Sequence, residues 1–231
     1  MLNYLIIGAS SGIGKSLLNI LVAQGHKVYA TYNQHPIEES TQLVATHLDI
    51  TTEFSSMEFL PDTLDGFVYC PGSIQLRPFA RIKPESFMSD FELQVVGAIK
   101  TLQLALPKLK LAPHASVVFF STVAVQKGFN YHSQVATSKG AIEGLTRSLA
   151  AELAPAIRVN AIAPSLTDTP LTAKLLSSYD KKEANAQLHP LKKIGSPEDI
   201  AEMAAFLLSG KSSWMTGQII AVDGGKSSIN L

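Results

Sequence analysis

The 231-residue sequence has one cysteine, no excess of either charge and no long apolar run. Cys70 cannot form an internal disulfide, which is consistent with a reducing compartment, and a lone cysteine ending an apolar run is typical of a packing residue. Nineteen basic residues balance nineteen acidic ones, so no positive field favours nucleic acid or anionic membranes. We expect neither partner.

The missing apolar runs also exclude two kinds of segment. A membrane helix needs roughly 18 consecutive apolar residues, which the sequence does not supply. Its first apolar run, residues 5–7, passes directly into Gly8 and a polar loop, unlike a secretory signal. The sequence therefore predicts a cytoplasmic protein with a single domain over residues 1–231 and no metal site.

Short β-rich runs alternate with amphipathic helical stretches along the chain. The predicted strands cover residues 4–7, 27–32, 45–48, 66–70, 116–120, 157–161 and 218–222. The predicted helices cover residues 13–24, 86–109, 133–153 and 197–208. This alternation predicts an α/β fold: a doubly wound, Rossmann-type, parallel seven-stranded sheet with helices on both faces.

Connection lengths and caps refine this prediction. Only about twelve residues separate the second and third strands, and about seventeen the third and fourth, so we expect short or irregular helices there. Ser196 is a predicted N-cap, followed by Pro197 and two acids, and Gly25 closes the first helix.

A glycine-rich loop joins the first strand to the first helix. Its sequence is Gly8-Ala9-Ser10-Ser11-Gly12-Ile13-Gly14. Glycines allow a sharp turn and a close approach to a pyrophosphate, whose charge is stabilised at the helix N-terminus. A tight strand-helix turn without a ligand is the alternative interpretation of this motif.

The glycine spacing resembles that of the short-chain dehydrogenase/reductase family, and later segments resemble the same family in order. Asp49 and Ile50 are similar to the segment that meets the adenine ring, while Pro71 and Gly72 belong to the implied cofactor site. Further similarity occurs at residues 157–164, 195–201 and 216–225.

The resemblance also implies a nicotinamide-binding segment from Pro164 to Thr169. Thr167 and Thr169 are at the positions that meet the carboxamide, while Ser165 stands where the family usually has glycine. At the ribose end, Tyr32 and Asn33 replace the acid of NAD-selective members. Because nothing there repels a 2′-phosphate, we expect NADPH, with NAD less favoured.

The family's catalytic serine, tyrosine and lysine are only partly present. Lys139 matches the lysine, but Val135 occupies the tyrosine position four residues earlier. Thr122 stands at the serine position with Ser121 beside it, and Gln94 at an asparagine position. The resemblance implies that Lys139 holds the ribose and that a hydroxyl polarises the carbonyl.

Valine has no proton to donate, so another acid is needed. His132, seven residues before Lys139, lies about 20° from the same helical face, and Tyr131 lies about 80° away. Either side chain could reach the site. Alternatively, both serve as helix cap, packing or surface residues.

Two functions follow from these residues. The first is an NADPH-dependent reductase of a small or medium carbonyl or activated double bond, and the second is a silent cofactor-binding or sensing protein. The substrate loop, residues 171–191, mixes apolar and basic residues and indicates only a small organic molecule. The resemblance further implies a homodimer or homotetramer, with contacts along the helices at 86–109 and 133–153.

Overall fold

All seven strands are present in the computed structural model, which describes residues 1–229. They are β1 (Asn3–Ile7), β2 (Lys27–Tyr32), β3 (Leu43–His47), β4 (Gly66–Tyr69), β5 (Ala115–Phe120), β6 (Ile157–Pro164) and β7 (Ile219–Val222). Neighbouring strands are parallel, in the order β3-β2-β1-β4-β5-β6-β7. The doubly wound α/β prediction is confirmed, although residues 230 and 231 of the predicted domain lie outside the described part.

Seven α-helices occur within the described residues: α1 (Gly12–Ala23), α2 (Pro84–Phe91), α3 (Gly97–Leu109), α4 (Ala124–Lys127), α5 (Ser133–Leu153), α6 (Tyr179–Gln187) and α7 (Pro197–Leu208). A π-helical segment, Glu92–Val96, joins α2 to α3. Short 3₁₀ turns cover Phe79–Arg81, Pro170–Thr172 and Gly210–Ser212. Within residues 1–229, no helix is long and apolar enough to cross a membrane.

Alternating side chains of the strands pack against helices on both faces. Tyr4 and Ile6 of β1 are buried in a cluster with apolar residues of α1 and α7. Leu5 and Ile7 point to the opposite face and belong to a cluster with α3 and α5. Because both faces are buried, the strands read as nearly continuous apolar runs in the sequence.

The predicted caps and several predicted bounds can now be compared with the structure. Ser196 caps α7, with its Oγ accepting from the Asp199 N–H at 3.1 Å and the Asp199 carboxylate accepting from the Ser196 N–H at 2.8 Å. Gly25 closes the first helix region with φ +82°. β6 extends to Pro164 instead of ending at residue 161, because Pro164 pairs with Val222 of β7.

Two further predictions need correction. The helix predicted over residues 86–109 begins at Pro84 and contains the π-helical segment, which periodicity alone does not reveal. The connections on either side of β3 contain no helix, although the sequence predicts short or irregular helices there. The chain instead runs through turns and a bridge between Ser40 and Leu43.

Candidate active site

A deep cleft opens at the carboxyl ends of the strands, where the sheet order reverses between β1 and β4. Open parallel sheets bind ligands at this point because the connections leave in opposite directions. The cleft has a volume of about 870 Å³ and runs from the ends of β2 and β3, past the β1–α1 loop, to the segment after β6. That volume is sufficient for a large organic ligand.

The glycine-rich loop lines the cleft between the ends of β2 and β4. Gly8 has φ +78°, and a side chain on Gly14 would place its Cβ only 2.3 Å from the Gly8 carbonyl oxygen. The backbone can therefore pack this tightly only with glycine at both positions. The N-terminus of the 12-residue helix α1 follows at once, with Ser10 and Ser11 lining the cleft beside it. This is the backbone cradle that a pyrophosphate requires.

The structure brings all the sequence-assigned cofactor residues to this one cleft. They are Gly8, Ser10, Ser11, Gly12, Ile13, Gly14, Tyr32, Asn33, Asp49, Ile50, Pro71, Gly72, Lys139, Pro164, Thr167 and Thr169. They come from the ends of five strands and from α5, and the parallel topology brings these ends to one edge of the sheet.

The end of the cleft near β2 and β3 contains the residues expected to meet adenosine. Tyr32 ends β2, and its ring lies edge-on to His47 at 5.8 Å between centroids. The exposed Asp49 carboxylate accepts hydrogen bonds from the Thr51 hydroxyl at 2.6 Å and backbone N–H at 2.9 Å, and these bonds lower its pKa. Cleft residues immediately after β2 are polar but carry no acid.

The two neighbouring hydroxyls after β5 have different surroundings. Ser121 Oγ donates to the buried Glu143 carboxylate at 2.8 Å, and Glu143 also pairs with Arg147 at 3.0 Å. Thr122 Oγ1 accepts only a long bond, 3.3 Å, from the Ala124 N–H. Its hydroxyl hydrogen has no acceptor among residues 1–229, so Thr122 is the better placed of the two to donate to a substrate carbonyl.

The two candidate acids, Tyr131 and His132, differ in their position relative to the cleft. Tyr131 has a left-handed backbone, φ +68°, and its side chain is 57% exposed and does not line the cleft. This placement counts against Tyr131 as the proton donor, and the expectation that it reaches the site needs correction. His132 is the N-cap residue of α5 and does line the cleft.

One hydrogen bond sets the tautomer of His132. Its Nδ1 lies 2.8 Å from the Asn130 carbonyl oxygen, which can only accept, so Nδ1 carries a hydrogen. The ring packs beside Phe129, with 5.5 Å between centroids, and Nε2 has no partner within residues 1–229. His132, Val135 and Lys139 follow one another on one stripe of α5, and all three line the cleft.

A buried carboxylate that the sequence analysis did not identify lies behind this stripe. Asp90, only 4% exposed, accepts hydrogen bonds from Ser138 Oγ at 2.6 Å, from Gln94 Nε2 at 2.8 Å, and from the Ser73 hydroxyl. An acid one turn before Gln94 on the inner face of an amphipathic helix was the available sequence signal.

This network contains an unsatisfied acceptor in the neighbourhood of Lys139. Gln94 Oε1 is buried without a hydrogen-bond partner in the described part of the chain. Gln94 Oε1 and Lys139 Nζ both lie close to Gly72. A Cβ added to Gly72 would be 3.5 Å from Gln94 Oε1 and 3.8 Å from Lys139 Nζ. Burial lowers the pKa of Lys139 to about 8, although Asp90 and Cys70 act in the opposite direction. Burial raises the pKa of Cys70 to about 12, so its thiol is neutral.

Comparison with known proteins agrees with this arrangement. A family model described as enoyl-(acyl carrier protein) reductase matches residues 8–227. The chain belongs to the short-chain dehydrogenase/reductase family. A short-chain dehydrogenase family protein from Francisella tularensis has a similar structure, with TM-score 0.89 and 30% identity, covering 99% of this chain and 100% of that one.

Two curated members of the family show the same level of similarity. L-xylulose reductase from Bos taurus is 30% identical, with 96% of this chain and 94% of that protein covered. The 3-oxoacyl-[acyl-carrier-protein] reductase from Thermotoga maritima is also 30% identical, with 96% of both chains covered. The chain is thus an oxidoreductase of the short-chain dehydrogenase/reductase type.

Proposed function

We propose that this short-chain dehydrogenase/reductase uses NADPH to reduce a small or medium carbonyl or activated double bond, with His132 as an atypical proton donor. The stripe formed by His132, Val135 and Lys139 along α5 carries this proposal. It provides an imidazole in the cleft that lacks the family's tyrosine, while keeping the lysine.

The cleft suits a dinucleotide along its full length. The tight backbone at Gly8 and Gly14 provides the cradle for the phosphates, and Lys139 is available for the ribose hydroxyls. The absence of an acid after β2 favours the 2′-phosphate of NADP, which the hydroxyls of Ser10 and Ser11 could bind. When bound, the nicotinamide supplies the hydride.

The chain's own residues perform the remaining steps. Thr122 donates a hydrogen bond to the substrate carbonyl oxygen, which stabilises the negative charge that develops there. His132 transfers a proton from Nε2, because Nδ1 is already bonded to Asn130. For this reaction His132 must carry a hydrogen on Nε2 as well as on Nδ1.

The alternative function is a cofactor-binding protein without turnover, which Val135 favours. Both functions require NADPH binding, so binding alone cannot separate them. Retention of Lys139 is expected for either one. Turnover is therefore the measurement that decides between them.

The test is a fluorescence titration with NADPH and NADH, followed by NADPH oxidation with a panel of carbonyl and enoyl compounds. We expect tighter binding of NADPH and turnover with part of the panel. Lys139→Ala should weaken NADPH binding in calorimetry, whereas Lys110→Ala, an exposed control, should not. Tight binding without any turnover would support the alternative, and no binding would refute both functions.

Assembly and location complete the proposal. We infer a cytoplasmic homodimer or homotetramer that associates along α3 and α5, because these are the long helices that cover one face of the sheet. Light scattering of the purified protein should give two or four times the 24.8 kDa chain mass. A monomer would contradict the inference.

A further inference from the structure

A serine and a histidine meet in the cleft without a role in the function proposed above. Ser165 directly follows β6, and its Oγ lies 2.8 Å from His189 Nε2. Both residues line the cleft. Because Ser165 stands where the family segment usually has glycine, its hydroxyl is an additional polar group of this chain.

The hydrogen bonds of His189 determine how the Ser165 hydroxyl is oriented. His189 Nδ1 lies 2.9 Å from the Asn185 carbonyl oxygen, so Nδ1 carries a hydrogen. In the neutral ring Nε2 is then an acceptor, and Ser165 must donate its hydrogen to it. The oxygen of Ser165 retains lone pairs that can accept a hydrogen bond from a ligand.

The pair is held rigidly. His189 is 4% exposed, immediately after α6. Its charged neighbours are occupied elsewhere: the Asp223 carboxylate accepts from the Gly225 and Ser227 N–H groups at 2.9 and 2.7 Å, and Lys226 Nζ donates to the Leu188 carbonyl at 2.8 Å. An oriented acceptor of this kind loses little entropy when a ligand binds.

Ser165 is also close to the position proposed for the substrate carbonyl. The Val123 N–H donates to the Pro164 carbonyl at 3.1 Å, and the register of β5 and β6 continues to this point, so Ser165 lies one residue beyond the position level with Thr122. Neighbouring strands are about 4.8 Å apart. A substrate held by Thr122 would therefore reach Ser165 with a group on the next carbon or the one after it.

Four leucines form much of the remaining wall on this side. Leu166 follows Ser165, and Leu171, Leu175 and Leu188 line the cleft from the segment after β6. These leucines favour a hydrocarbon skeleton. Asn185 and Lys226 also line this side, but Asn185 Nδ2 donates to the Lys181 carbonyl at 2.8 Å and Lys226 Nζ to the Leu188 carbonyl at 2.8 Å.

We propose that Ser165 and His189 form a hydroxyl-binding subsite, and that the preferred substrate is a hydroxy-ketone with a hydroxyl one or two carbons from the carbonyl on an otherwise apolar skeleton. The hydroxyl of the substrate donates to Ser165 Oγ, and His189 is a positioning residue that orients Ser165. The substrate assignment rests on the proposed reduction, whereas the subsite itself binds hydroxyls with or without turnover.

The competing role is purely structural: the Ser165–His189 bond would only attach the segment after α6 to the end of β6. A structural bond predicts that its removal lowers thermal stability but affects all ligands alike. A subsite predicts a change in the ratio between ligands that differ only in one hydroxyl.

The first experiment compares 2-hydroxycyclohexanone with cyclohexanone as substrates. The second compares trans-1,2-cyclohexanediol with cyclohexanol as ligands of the protein with NADP⁺, and saturation-transfer NMR competition measures their relative affinities. The wild type should prefer the hydroxylated member of each pair by about fivefold, as expected for one added hydrogen bond. Ser165→Ala and His189→Gln should bring both ratios close to one. The exposed controls Ser213→Ala and His114→Gln should retain the preference.

The outcomes separate this inference from the proposed function. Diol preference without turnover, abolished by Ser165→Ala, would support the subsite and refute the reductase. Turnover without hydroxyl preference would refute the subsite alone, and a lower Tm with unchanged ratios would establish the structural role instead. If Ser165→Ala folds poorly, Ser165→Gly provides the same comparison, because the family segment accommodates glycine at this position.

Discussion

Replacement of Lys139 by methionine should stabilise the protein in buffer without cofactor while weakening NADPH binding. Burial lowers the pKa of Lys139 from 10.5 to about 8, so the folded state binds its proton less well than the unfolded state does. A difference of that size corresponds to about 3 kcal/mol at pH 7. Methionine has a similar shape but no charge to desolvate, so it should recover part of this energy.

The pH dependence identifies the cause. Below about pH 8 the lysine is charged in both states and the full penalty is present. Between about pH 8 and 10.5 only the unfolded state stays protonated, so the wild type gains stability relative to the variant as the pH rises. The advantage of Lys139→Met should fall from at most about 3 kcal/mol at pH 7 to roughly 1.5 kcal/mol near pH 9.5.

Urea denaturation of both proteins at these two pH values tests the prediction. Lys110→Met provides the control, because Lys110 is exposed and should change stability by less than about 0.5 kcal/mol. A variant that is less stable than the wild type at pH 7, or an advantage that does not change with pH, would refute the reasoning. Calorimetry with NADPH on the same variants would show whether the lysine is kept for binding rather than for stability.

Four other changes are expected to have measurable effects. His132→Phe should slow carbonyl reduction by about 100-fold or more without changing NADPH affinity, and an unchanged rate would exclude His132 as the acid. Val135→Tyr should also slow reduction, because the new ring enters the cleft between His132 and Lys139; faster reduction would show that the missing tyrosine is the sole defect. Asp90→Asn places an amide among hydrogen-bond donors and should reduce the free energy of unfolding by about 1–3 kcal/mol, measured by urea denaturation; an unchanged midpoint would contradict the observed network. Tyr32→Asp should raise the Kd for NADPH at least tenfold relative to that for NADH, and equal effects on both would disprove discrimination at this position.

Local signals explain why much of the fold could be predicted. Strand alternation, glycine positions and the Ser196 cap act over a few residues, and each agrees with the sheet that forms. The additional residues of β6 depend instead on pairing with β7, more than fifty residues later in the chain. No local pattern contains that information.

The π-helical segment shows the same limit within a helix. Apolar periodicity predicts a helix through residues 86–109, and the chain is helical there, but one wider turn at Glu92–Val96 changes which side chains face inward. Asp90 and Gln94 then bond to each other and reach Ser138 of another helix. The bond between Asp90 and Gln94 follows from their i,i+4 spacing, whereas the bond from Ser138 to Asp90 depends on tertiary packing.

The cleft residues also differ in how far the sequence alone predicts their place. Glycine spacing and the lysine were sufficient to indicate the cofactor end, because that end is built from short motifs. A choice between Tyr131 and His132 required the backbone, since a single left-handed residue turns the tyrosine away from the cleft. The sequence could identify the missing tyrosine but not which neighbouring side chain faces the cleft.

Ser165 and His189 illustrate why the substrate end is the hardest part to predict. The two residues are 24 positions apart, Ser165 departs from the family's usual glycine, and His189 belongs to none of the motifs identified in the sequence. Their hydrogen bond forms because the segment after α6 folds back over the cleft at the level where β6 ends. If substrate selection depends on this pair, members of the family with identical cofactor motifs can differ in substrate through two distant residues, and the Ser165→Ala ratio measurement tests that relation directly.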